Sequence, residues 1–272
     1  MQVKKVLREF NIKPRKNMGQ NFLTSPYHLE KIIESAGLNK HDVVVEIGPG
    51  IGNLTELLLE RSKKVISVEK DGVLIEVLKQ IFASNKKLKF INEDFLKTDL
   101  RKIFKSEKQL LKIVANPPYY ISTQIIEKLI DYGDCYKEAF LSLQKEYVQR
   151  MTASCDTKNY GRLTIFTQVY LDIELLFKIP KSVFYPAPVV DSVFIAIRPK
   201  KKTGLKNNKK LDIISREFFS SKRKKISTIL KSFSVLPKVR MNKILSRLNI
   251  DSNSRPEELS VSDYVNIANL LN

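Results

Sequence analysis

An Asn-Pro-Pro-Tyr tetrapeptide, Asn116-Pro117-Pro118-Tyr119, follows the apolar run Ile113-Val114-Ala115 and precedes the polar pair Ser122-Thr123, a suitable start for a helix. At the end of a buried strand these residue types suit one chemical problem, the holding of a planar exocyclic amine. The amine of adenine is a poor nucleophile because its lone pair is delocalised into the ring. The side-chain carbonyl of Asn116 and the backbone carbonyl of Pro117 can both accept its N–H bonds. That draws the nitrogen toward tetrahedral geometry and aims the lone pair outward. Prolines fix φ near −65° and donate no competing N–H, so such a turn is stiff. Tyr119 supplies an aromatic face for the base, with stacking worth roughly 1–3 kcal/mol on comparable platforms. Taken alone the stretch also reads as a proline turn closed by a tyrosine, and its surroundings must decide.

The elements that would position it are those of an open α/β sheet. Val43-Val44-Val45-Glu46-Ile47 reads as a buried strand and runs straight into Gly48-Pro49-Gly50-Ile51-Gly52. Asn53 is then a candidate cap for a helix with Leu54, Leu57 and Leu58 on its apolar face. Strand, glycine turn and helix open a doubly wound domain, and bare glycines let backbone approach a ligand closely. A second strand, Val65 to Val68, ends in Glu69, where an acid can take both hydroxyls of a ribose. A third, Leu88 to Ile91, ends in Glu93-Asp94-Phe95, which offers an acid for the adenine amine of a cofactor. Glycine spacing leaves a dinucleotide and S-adenosyl-L-methionine both open, although G-x-G-x-x-G is not matched. The amine-holding tetrapeptide at the fourth strand end has no use in hydride transfer. Methyl transfer is the reading that uses every strand end.

Composition narrows the class further. The chain has 272 residues, enough for one large and one smaller domain, and 43% of them are hydrophobic. Its 48 Lys and Arg against 29 Asp and Glu leave +19, which favours a polyanionic partner, nucleic acid before membrane. No apolar run approaches the ~20 residues of a membrane span. Met1 to Arg8 is basic without a signal-like apolar core, so a cytoplasmic protein is expected. Cys135 and Cys155 show no metal-ligand spacing, and the two histidines, His28 and His41, sit in plain surroundings. No metal site and no histidine base are expected.

Residues 11–24, with Lys13, Arg15 and Lys16, lack periodicity and read as an ordered arm. Ser25-Pro26 starts a helix with Leu29, Ile32, Ile33 and Ala36 on one face, closed by Gly37. Ile173 to Phe177 and Val193 to Ile197 would complete the sheet. Arg198 to Lys210 carries seven cations and no acid, and reads as a mobile linker. Beyond it come short amphipathic helices and the cluster Lys222-Arg223-Lys224-Lys225, placed before Ile226, Ile229 and Leu230. Cations at a helix start oppose the macrodipole, so a phosphate partner would explain them. Leu259 to Leu271 reads as a final docking helix.

In this order the motifs resemble those of the KsgA (RsmA) family, the small-subunit rRNA adenine N6,N6-dimethyltransferases, which are related to the Erm methyltransferases. The matching stretches are Gly19-Gln20-Asn21-Phe22-Leu23, Glu46 to Gly52, Glu69, Asp94, Asn116 to Thr123 and Leu143-Gln144-Lys145-Glu146. They continue with Tyr160-Gly161-Arg162-Leu163 and Phe184-x-Pro186-x-Pro188-x-x-Asp191-Ser192. The resemblance implies a Rossmann-like α/β methyltransferase domain over residues 1–200 and a small helical, RNA-contacting domain over 201–272. It implies S-adenosyl-L-methionine as cofactor, with Asn21 and Leu23 covering it and Gly48 near its methionine portion. Glu69 would meet the ribose, Asp94 the adenine, and Gln20 and Gly50 complete the set. Asn116 would lie between cofactor and base, beside Pro117, with Phe184 packing on the base opposite Tyr119. Arg15, Lys16, Lys222, Arg223, Lys224 and Lys225 are the expected nucleic-acid contacts. The implied substrate is a pair of adjacent adenines in a 3′-terminal hairpin loop of 16S rRNA, within the small ribosomal subunit; oligomeric state is left open by the sequence, with a monomer as the default expectation. The family usually has Leu or Ile where this chain has Pro118, so the tetrapeptide also reads like that of DNA adenine methyltransferases, which lack the arm. An Erm-like enzyme acting on large-subunit rRNA is a competing reading, as is a non-enzymatic RNA-binding assembly or transcription factor.

Overall fold

The computed structural model describes residues 3–15, 18–231 and 238–271, without the side chains of 238 and 239. The chain forms two units, Met1–Lys145 with Asp172–Pro199, and Glu146–Leu171 with Lys200–Asn272.

The first unit opens with α1 (Val3–Glu9), whose Val3, Val6 and Leu7 pack with Phe22, Ile51, Leu74 and Val77. The arm ends in a two-residue strand, β1 (Phe22–Leu23), and α2 (Pro26–Ala36) follows. Ser25 caps α2 by accepting from the His28 N–H, and Gly37 closes it in the left-handed region at φ 51°. Next in order are β2 (Val43–Ile47), α3 (Asn53–Arg61), β3 (Lys64–Glu69), α4 (Gly72–Ile81), β4 (Leu88–Asn92), α5 (Leu100–Glu107) and β5 (Leu111–Ala115). Then come α6 (Ser122–Asp131), β6 (Tyr136–Gln144), β7 (Leu171–Ile179), β8 (Phe184–Tyr185) and β9 (Ser192–Pro199).

The main sheet has the order β4-β3-β2-β5-β6-β9-β7. Pairing is parallel from β4 through to β6, and β9 runs antiparallel to β6. Strands β2 and β5 are buried along their whole length, as near-continuous apolar runs in a covered parallel sheet should be. Connections leave β2 toward β3 on one side and β5 toward β6 on the other. The switch point therefore lies between β2 and β5, beyond whose carboxyl ends ligands bind in such sheets. A separate two-stranded pair joins β1 to β8, with Leu23 opposite Phe184.

Two sequence expectations need correction in this unit. Asn53 is not the cap of α3; Gly52 holds that position at φ 92°, and a Cβ there would lie 2.6 Å from the Phe82 ring. Asn53 is the first helical residue, and its Nδ2 donates to the Leu23 carbonyl at 3.0 Å. The strands near the C-terminal side are also longer than expected, since β7 and β9 run over 171–179 and 192–199.

The second unit is helical. It holds α7 (Lys145–Met151) from Glu146 on, α8 (Arg162–Tyr170), α9 (Asn208–Ser220), α10 (Ile226–Ile229), α11 (Lys238–Arg247) and α12 (Val261–Leu270). An expected boundary at residue 200 misses residues 146–171. Tyr160, Ile165 and Val169 share one apolar cluster with Leu211, Phe218, Tyr264 and Ile267, which is why that stretch belongs here. The final docking helix is α12, begun by a reciprocal Ser260–Asp263 capping box. The cation-rich run after Arg198 is tied down: the Lys206 N–H donates to Asn269 Oδ1 at 2.8 Å, and Asn269 Nδ2 to the Gly204 carbonyl at 2.8 Å.

Candidate active site

Four strand ends and the N-terminal arm enclose one cleft in the first unit, with about 1110 Å³ of space including its open mouth. That is the scale of a small-molecule site. Gln20, Asn21, Leu23, Gly48, Gly50, Glu69, Asp94, Asn116, Pro117 and Tyr119 all line it. The ten come from five separate stretches of sequence.

At the end of β2, Glu46 is 0% exposed, and its Oε2 accepts from Thr55 Oγ1 and Ser67 Oγ, each at 2.7 Å. Its Oε1 is buried without a hydrogen-bond partner among the described residues. Burial pushes this carboxyl up to about 7, against the two hydroxyl bonds that favour its charge. Gly50, at φ 62°, stands against the arm, and a Cβ there would lie 2.9 Å from the Phe22 ring.

Glu69 at the end of β3 is raised by burial, although backbone N–H groups of Asp71, Gly50 and Lys70 favour its charged form. Its neighbour Asp71 caps α4 and draws in the arm, through Arg15 Nη1 at 3.2 Å and Gln20 Nε2 at 3.0 Å. Asp94 lies beyond β4. Burial works against its charge, but the Lys70 ammonium at 2.9 Å and the Leu96 N–H outweigh it and hold the carboxyl below its usual range.

Asn116 follows β5 directly. Its Nδ2 donates to the Asn21 carbonyl at 3.1 Å, and Ser142 Oγ donates to its Oδ1. Pro117 is buried, Pro118 is extended at φ −59° and ψ 130°, and Tyr119 starts a 3-10 turn over Tyr119–Ile121. The Tyr119 hydroxyl is hydrogen-bonded to Ser192 Oγ, and burial raises its pKa above the usual phenol value. Tyr119 therefore offers a neutral ring, not a base.

Phe184 is a correction. Its ring is 4% exposed and sits in the apolar cluster with Leu23, Leu29 and Phe194, not among the residues that line the cleft. Pairing of β8 with β1 fixes it behind Leu23, a contact no local pattern announces. Sequence reasoning assigned no role to Ser142, Asp71 and Lys70. Lys70 and Asp71 directly follow Glu69, a usable signal; Ser142 lies inside an apolar strand and has none.

The basic candidates also divide. Arg15 is engaged by Asp71, and Lys16 lies outside the described residues. Lys222 is held by the carbonyls of Lys158 and Tyr160 and by Glu257 at 2.9 Å, so it is structural. Arg223, Lys224 and Lys225 are exposed. The cluster directly follows α9, a 13-residue helix, whose C-terminus favours cations. The cluster also leads into the one-turn α10, whose N-cap is Lys225, so the favourable end of α9 offsets the unfavourable start of α10, and exposure of the last three residues is what supports a phosphate partner.

A glycine turn, acids at successive strand ends and an Asn-Pro-Pro-Tyr turn at the switch point define a Rossmann-like methyltransferase. The model of the ribosomal RNA adenine dimethylase family matches residues 11–272. Ribosomal RNA small subunit methyltransferase A of Francisella tularensis subsp. tularensis (strain WY96-3418) is 39% identical over 264 residues, 97% of this chain and 99% of the relative. That of subsp. novicida (strain U112) matches with the same identity and coverage. Among solved structures, a dimethyladenosine transferase from Plasmodium falciparum superposes with a TM-score of 0.78 at 31% identity, covering 90% of this chain and 95% of that one. The 23S rRNA methyltransferase ErmE shares the fold, with a TM-score of 0.68 at 23% identity over 92% of this chain and 99% of its own. The chain belongs to the ribosomal RNA adenine dimethylase family.

Proposed function

We propose that the protein dimethylates N6 of two adjacent adenines in a 3′-terminal hairpin loop of small-subunit (16S) rRNA during assembly of that subunit, acting as a monomer in the cytoplasm. The observation that carries this reading is the meeting of Asn116-Pro117-Pro118-Tyr119 with the Gly48–Gly50 turn in one cleft.

S-adenosyl-L-methionine fits the donor set, and when bound it supplies an electrophilic methyl and a thioether leaving group. Gly48 and Gly50 present bare backbone, Glu69 and Asp94 present acceptors, and the buried Glu46 Oε1 lacks a polar partner among the described residues. Gln20, Asn21 and Leu23 would close over it. Asn116 Oδ1 retains a second lone pair beside its Ser142 bond, and the Pro117 carbonyl supplies the other acceptor. Together they orient and desolvate the amine, while Tyr119 stacks on the base. The cofactor, when bound, would supply its methyl to the lone pair so aimed, with the thioether leaving, and the nitrogen would then release its proton to water. No strong base is required, because positioning carries most of the rate.

The target base must leave its stack to enter, which favours loops and junctions over duplex interior. Arg223, Lys224 and Lys225 are the proposed phosphate contacts on the RNA. The test is methyl-labelled S-adenosyl-L-methionine with unmethylated small subunits, followed by nucleoside analysis. Labelled N6,N6-dimethyladenosine is expected, reduced at least 100-fold by Asn116→Ala, given the usual cost of losing a preorganised polar group at a reacting centre, about 10²–10³. Label found instead on large-subunit RNA or on DNA would overturn the substrate.

A further inference from the structure

Resting on the reading of Asn116 as the amine holder, we propose that Ser142 is a positioning residue that fixes the Asn116 carbonyl for both methyl transfers. In the parallel pair β5–β6, Val114 lies opposite Phe140 and Ala115 opposite Leu141. One step further, Asn116 arrives beside Ser142 on the face where Val114 and Phe140 pack together. Ser142 is 0% exposed, in a strand otherwise apolar over Ala139–Leu143. A hydroxyl buried there without a partner would be destabilising, and the partner it has is Asn116 Oδ1.

The two contacts on the Asn116 amide differ in kind. The Asn21 carbonyl can only accept, so it must face Nδ2 and thereby decides which way the amide points. Ser142 can donate or accept, so it does not choose the orientation. It removes the remaining freedom of the carbonyl by donating to one lone pair and leaves the other free toward the base. Without it, Asn116 is held at one end only.

The consequence is larger for the second transfer. An unmethylated amine has two N–H bonds to place on Asn116 Oδ1 and the Pro117 carbonyl. The once-methylated amine has one, so its orientation depends on a single acceptor standing in a fixed place. Loss of Ser142 therefore slows the second transfer more than the first, and N6-monomethyladenosine accumulates.

The experiment compares full-length wild type, Ser142→Ala and Ser142→Thr on unmethylated small subunits. It reads turnover, KM for S-adenosyl-L-methionine, thermal midpoint and the ratio of mono- to dimethyladenosine. For Ser142→Ala the expected result is a 10- to 100-fold fall in turnover, of the order set by misplacing a catalytic group. The monomethyl fraction rises, while cofactor KM stays within about twofold, since Asn116 remains in the cleft on its Nδ2 bond to the Asn21 carbonyl. Ser142→Thr keeps a hydroxyl and restores the product ratio. Wild-type turnover and ratio in Ser142→Ala would overturn the proposal. So would a fall in turnover accompanied by a matching loss of cofactor binding and thermal midpoint, which marks a role in folding alone. A wild-type protein that labels a different RNA would refute the proposed substrate and not this inference, which the same variants then decide on that RNA.

Discussion

Glu46 shows how one residue can be matched to the fold and still strained by it. Its carboxyl is raised from 4.5 to about 7 by burial, and one of its oxygens has no partner among the described residues. An acid whose folded pKa lies above its unfolded value stabilises the fold relative to higher pH. That contribution is complete below 4.5 and is lost as pH rises through about 7. The size is on the order of 3 kcal/mol. Glu46→Gln keeps an acceptor for Thr55 and Ser67 and cannot ionise. It is expected to be more stable relative to wild type at pH 8 than at pH 5, by denaturant midpoint without cofactor. An equal difference at both pH values would show that Glu46 does not change its charge in this range.

At the scale of elements, the arm is joined to the sheet by a small number of polar contacts. Asp71 is 5% exposed, caps α4 through the Val73 N–H and receives both Arg15 and Gln20. Asp71→Ala is expected to cost about 1 kcal/mol as a lost cap. It should also speed amide exchange over 18–24, because the arm loses its anchor on α4. Arg15→Ala should cost less, since an ion pair with a half-exposed partner is screened by water. Exchange over 18–24 that stays at the wild-type rate in Asp71→Ala would place the anchor elsewhere, among the ties to Asn53, Asn116 and Val183 and the β1–β8 pair. This coupling was not legible from sequence. The arm carried its motif in Gly19 to Leu23, but the acid that holds it is 51 residues from Gln20 along the chain.

For the whole molecule the net charge of +19 sets the terms of encounter with RNA. Binding should weaken linearly in log Kd against log salt, with a slope of about 0.7 for each single-strand phosphate neutralised. Arg223→Ala, Lys224→Ala and Lys225→Ala combined should reduce that slope by about 2 while thermal midpoint and cofactor binding hold. Lys222→Ala should behave differently and lower the midpoint, because its ammonium holds the Lys158 and Tyr160 carbonyls and Glu257. An unchanged salt slope in the triple variant would remove this corner from the RNA interface. Composition announced the polyanion, yet it did not separate the one structural cation of the cluster from the three exposed ones.

What the sequence determined by itself follows from local chemistry. Apolar runs over 43–47 and 111–115 dictate buried parallel strands, Ser25-Pro26 and Gly37 bound a helix, and the Asn-Pro-Pro-Tyr turn carries its acceptors within four residues. Such signals lie in residue type and spacing, so they are read before any folding is known. Tertiary structure decided what depends on register between distant strands. It put Ser142 against Asn116 and Ser192 against Tyr119, and it turned Phe184 into the core behind Leu23. It also assigned residues 146–171 to the helical unit, because Tyr160, Ile165 and Val169 find their apolar partners there. A hydroxyl in an apolar strand, or a phenylalanine before a proline loop, has several possible neighbours, and only the pairing of strands selects one.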